Sequence, residues 1–182
     1  MLFLCAFVGI VVGFVLVFSG SSFVNLLTSS NKKLYTLING TADYMGLFWK
    51  KFLSFLLPIL LVFVLSLNYY LGLLCYIFIT YQVSLFIMSC AAVVKLYAMA
   101  GFLNVFFIMI PINIMFFAVL FYAVVTMMRR AKVASRYKQF AYGFDDVFFA
   151  KFAICVLCLI IIALLACVVL PLFLKNAIFI VF

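Results

Sequence analysis

Apolar residues run along this chain in long unbroken stretches, and polar residues gather between them. A hydrocarbon core of about 30 Å takes roughly 20 helical residues. Five stretches meet that measure: residues 2–18, 52–67, 71–94, 102–128 and 152–174. The stretches are continuously apolar and show no alternation of period two, which selects helices over a β-barrel. The second and third are separated by little more than Asn68, Tyr69 and Tyr70, so they form an antiparallel hairpin, with the tyrosines at headgroup level. The third and fourth meet at "KLYAMAG", a tight turn in which Gly101 supplies a permissive backbone. The predicted fold is all-α: a polytopic transmembrane helical bundle of about five spans, in a single membrane domain covering residues 1–182.

Two connections are longer. Residues 19–51 are polar with scattered Leu, Phe and Tyr and with Trp49. A segment of roughly 30 residues buries too little surface for a folded domain, so it is read as an extramembrane loop. Residues 129–151 are basic and are read as a surface helix followed by a turn at Gly143. Met1 opens almost directly on the first apolar run, which predicts a signal anchor rather than a cleaved signal peptide.

Composition agrees with the pattern. The chain is 73% apolar and 8% charged, against about half and about a quarter in an ordinary soluble domain. Its surface therefore uses lipid as solvent, and the bilayer is its first partner. The net charge is +9. The basic residues sit between apolar spans and form no contiguous face with aromatic platforms, so they are assigned to lipid headgroups and topology, not to nucleic acid. With five spans each side of the membrane collects six basic residues. Density breaks the tie. Arg129, Arg130, Lys132, Arg136 and Lys138 follow directly on a span. This places residues 129–151 and Met1 in the cytoplasm, with residues 19–51 and the C-terminus outside.

The chain has no His, and its three carboxylates are Asp43, Asp145 and Asp146, none within a predicted span. General acid–base chemistry, zinc ligation and proton relay draw on those groups. The six cysteines all lie in apolar runs and are read as small packing residues, the Cys155-x-x-Cys158 pair included. No phosphate-binding or metalloprotease motif is present. The expectation is a non-enzyme without cofactor or metal.

Polar groups inside the spans carry the remaining information. Gly9 and Gly13, in "GIVVG", share a helix face and admit close approach of another backbone, in the same chain or in a second copy. Gln82, Asn104 and Asn113 carry amides that are costly in hydrocarbon unless bonded. Pro111 removes the usual donor to the Phe107 carbonyl and kinks the fourth helix, and Pro58 bends the second similarly. An asparagine or a polar group of the neighbouring helix is expected to answer the freed carbonyl. Gln82, Asn104, Pro111 and Asn113 are thus predicted to form one intramembrane polar seam.

The order of these features resembles the stage II sporulation protein M family of integral membrane proteins: a first helix with Gly9 and Gly13, a polar loop, a close hairpin, then "AGFLNVFFIMIPINIMFF" and a basic segment before a last helix. Gly101, Pro111 and Asn113 match the pattern common in the family's fourth helix. The resemblance implies a bacterial, multi-pass cell-membrane scaffold for envelope remodelling during sporulation. Its partners would be membrane or exported proteins, among them peptidoglycan hydrolases, or further copies of the chain. The competing expectation is a membrane subunit of a transporter or a small-solute channel, with a continuous wet path beside Gln82, Asn104 and Asn113.

Overall fold

The computed structural model describes residues 2–18, 44–67, 69–137 and 146–181; the side chains at 44, 47, 96–98, 100, 104, 108, 137, 146 and 168–181 lie outside the described set. The described chain is an all-α bundle. Helix α1 is Leu2–Phe18 and α2 is Tyr44–Leu65. A short helix α3, Tyr69–Gly72, leads into α4, Leu74–Asn104. A π-helical turn, Val105–Met109, joins α4 to α5, Ile110–Tyr137. Helix α6 is Asp146–Val181.

Four segments are long and apolar enough to cross a membrane: Phe48–Leu65, Tyr69–Lys95, Gly101–Arg136 and Val147–Cys167. Helix α1, with 17 residues, stands at the lower limit. This is a multi-pass membrane protein. Its outer surface is correspondingly oily, with Phe3, Phe7, Leu57, Ile77, Leu157 and many others exposed.

Helical structure extends beyond the predicted spans. Residues 44–51, read as part of a loop, are the first two turns of α2. The basic stretch through Tyr137 continues α5. Within the α4 range, between Val93 and Gly101, the chain reverses. A Cβ built on Gly101 would collide with the carbonyl oxygen of Val93. Eight residues of straight helix would hold those positions about 12 Å apart, so the polypeptide doubles back between them, at the predicted turn. Phe86 and Phe117 then meet edge to face at 5.8 Å, and Gly72 lies against Met128. Tyr69–Lys95 and Gly101–Arg136 are an antiparallel pair.

The bundle has two ends. One carries Lys50, Lys95 and the reversal between Val93 and Gly101. The other carries the α2–α3 turn, Arg129 and the start of α6. Between them α2, α5 and α6 pack together, and α4 lies across them. Ile59, Val62, Ile79, Leu120, Val124 and Leu159 are essentially inaccessible and fill the half toward the Arg129 end.

Helix α1 sits outside this core and packs on α4, parallel to it. Gly9 and Gly13 are buried, as their spacing predicts. A methyl group on Gly9 would come within 2.7 Å of the Thr80 carbonyl oxygen, and one on Gly13 within 2.8 Å of Ile87 Cβ. Close approach also brings hydroxyls to backbone. Thr80 Oγ1 donates to the Cys5 carbonyl at 3.1 Å, and Ser84 Oγ to the Gly9 carbonyl at 2.8 Å. Each hydroxyl also reaches the carbonyl four residues back in its own helix, at Tyr76 and Thr80, so its proton is shared between two acceptors. The neighbour served by the glycine pair is within the chain.

Candidate functional site: a polar cleft at the lysine end

The predicted polar seam exists in part. Gln82 of α4 and Asn113 of α5 line one cleft of about 250 Å³, together with Lys51. Pro111 is exposed on the outside of α5 and does not belong to it. Asn104 has its side chain outside the described residues. The seam thus joins two of its four predicted members and adds others outside that prediction: Lys51 and Ser54 from α2, and Ser89, a polar residue of the third span, from α4.

Each polar group has a local reason for its place. Pro111 follows directly on the π-helical turn, where one extra residue enters the helix and shifts the hydrogen bonds arriving at the proline. Asn113 Nδ2 donates to the Met109 carbonyl at 2.8 Å, inside that widened turn. The amide therefore serves the carbonyl four residues back, not Phe107 as expected. Its oxygen remains an acceptor for the cleft. Ser89 Oγ donates to the Leu85 carbonyl at 2.9 Å and keeps its lone pairs for the same space. Pro58, buried in α2, has no N–H for the carbonyl of Ser54, which is the residue one turn earlier on the cleft wall.

Gln82 is half-buried, and among the described residues no hydrogen bond engages its amide. Lys51 is half-buried too and lies inside the apolar window that begins at Phe48. Read as a loop residue from its neighbours in sequence, it is placed by α2 one turn from Phe55, within the bundle. Phe55, Phe86, Phe116 and Phe117 make the greasy part of the wall. Phe55 and Phe116 stack at 4.9 Å and close the floor. Beyond that floor lies the inaccessible core described above, so the cleft is blind.

At the Arg129 end the predicted headgroup residues separate. Arg129, Lys132 and Arg136 are exposed, whereas Arg130 is only 5% accessible. Arg130, expected at the headgroups, is thus buried within the protein, as are Ala131 and Ala134. Lys138 falls outside the described residues. All six cysteines are free, and among the described residues no three His, Cys, Asp or Glu converge as a metal site would require. The arrangement in the cleft offers one cation, amides and hydroxyls against aromatic walls. Such a set can bind and orient a polar group.

Comparison with known proteins finds no family model that matches this chain, and no similar curated protein or solved structure.

Proposed function

We propose that the protein is a non-enzymatic membrane scaffold that organises partner proteins in the cell envelope, with its Arg129 end in the cytoplasm. The observation that carries this reading is the closed core. Below the cleft, side chains such as Ile59, Ile79, Leu120 and Leu159 have no accessible surface, which leaves no wet path through the described bundle. The Thr80 and Ser84 hydroxyls are likewise spent on holding α1 against α4. What the bundle presents outward is apolar helix surface, above all the face of α1 with Phe3, Phe7 and Phe14. Helix surfaces of this kind meet lipid or partner helices. The link to envelope remodelling and to exported peptidoglycan hydrolases rests on the resemblance of Gly9, Gly13, Gly101, Pro111 and Asn113 to the sporulation family.

Photo-crosslinkers placed at Phe3, Phe7 and Phe14 in native membranes test the reading. Adducts to one defined protein are expected, and an envelope hydrolase among them supports the family link. Adducts to lipid alone would overturn it. The cleft with Gln82 and Asn113 favours a second reading, a subunit of a transporter whose blind cleft opens in another conformation. Solute flux by the purified protein in liposomes selects that reading, and tight vesicles select the scaffold.

A further inference from the structure

We infer that the cleft at the lysine end is a binding site for an anionic phosphate group, held by the Lys51 ammonium with Gln82 and Asn113 beside it. Three observations carry this. The first is the cost of the site. A lysine and two amides within apolar spans are expensive in hydrocarbon and mark binding sites or pathways, and no hydrogen bond among the described residues occupies the Gln82 amide. The second is charge. The net charge is +9 with three carboxylates in the whole chain; Asp146 opens α6 at the far end of the bundle, Asp145 adjoins it in sequence, and Asp43 precedes the first residue of α2. Among the described residues no carboxylate lines the cleft, and its charged group is Lys51.

The third is shape. A cleft of about 250 Å³ falls below the roughly 300–1,000 Å³ of sites for drug-sized ligands, and suits a headgroup rather than a nucleotide. Its aromatic wall, which includes the half-buried Phe86 and Phe117, gives an acyl chain a surface to lie on. Lys51 reaches such a group by running its methylenes along that wall with its ammonium toward the surface. The Asn113 oxygen and the Ser54 carbonyl add acceptors for headgroup hydroxyls. The same phosphate chemistry is available from a phospholipid and from a soluble phosphate ester. The site stands whether or not the chain assembles with protein partners.

Native mass spectrometry of the full chain in a nonionic detergent tests the site, with dioleoyl phosphatidylglycerol against dioleoyl phosphatidylcholine. The wild type should retain the anionic lipid in preference, by roughly fivefold, the weight of one lysine against an anionic headgroup. Lys51→Gln should bring the two lipids to parity, Lys51→Arg should keep the preference, and Gln82→Leu should reduce it. Lys50→Gln removes an equal charge from the exposed neighbouring position and should behave as wild type. Millimolar glycerol phosphate distinguishes the sources: displacement of the lipid points to the soluble ester, and its retention to the membrane lipid. A preference that survives in Lys51→Gln, or is lost equally in Lys50→Gln, overturns the proposal.

Discussion

Gly9 shows how little space separates α1 from α4. The nearest atom to an added methyl is a backbone oxygen at 2.7 Å, which cannot rotate away as a side chain would. Gly9→Ala should therefore destabilise the bundle by about 1–3 kcal/mol, the usual cost of overpacking, read as a lower unfolding midpoint in detergent. Ser84→Ala removes only a hydroxyl whose proton is already shared with Thr80. Its cost should be smaller, about 0.6 kcal/mol, near the average for hydrogen bonds between membrane helices. An equal effect of the two changes would show that close packing does not dominate the pair. The glycine spacing was legible from sequence because small residues four apart have one geometric use. Arg130 was not: its neighbours in sequence are basic, and only the phase of α5 tells that this one arginine faces inward while Arg129 faces out.

At the scale of elements, the apolar runs fixed the number and order of the helices, because hydrocarbon leaves the backbone no other way to satisfy itself. Helix ends were less legible. Lys50 and Lys51 look like the end of a loop, yet α2 starts at Tyr44 and carries both into the helix. A long flexible side chain can sit below the membrane surface and still reach it, so a lysine does not mark where a helix begins. Loss of this point hid Lys51 as a cleft residue. The π-helical turn before Pro111 was also out of reach, since the same sequence accommodates a plain kink. The hairpin itself makes a direct prediction. In a background without the six native cysteines, Phe86→Cys and Phe117→Cys should be bridged rapidly by a short bis-maleimide, as the rings lie 5.8 Å apart. A straight helix through residues 95–101 would give no bridge.

For the whole molecule, the two ends differ in what they offer. The lysine end opens a polar cleft, while the opposite half is dry and tightly filled. Impermeant maleimide should label Ser135→Cys and Lys50→Cys from opposite faces of intact cells or inverted vesicles, with Ser135→Cys reached from the cytoplasmic face. Labelling of both from one face would contradict the bundle, and the reverse pattern would invert the proposed orientation alone. Charge density, not structure, chose that orientation, since the basic residues divide evenly between the two sides.

The placement of α1 has a consequence for how the protein is made. Synthesis delivers this helix to the bilayer before its binding groove on α4, residues 80–87, which is translated some seventy residues later. In the interval α1 lacks that docking surface, and it clips into place only once α4 has entered the bilayer. Two genes encoding residues 1–43 and 44–182 should therefore rebuild the protein inside the cell, recovered by affinity purification through a tag on the shorter piece. Gly13→Ile in that piece should abolish the recovery.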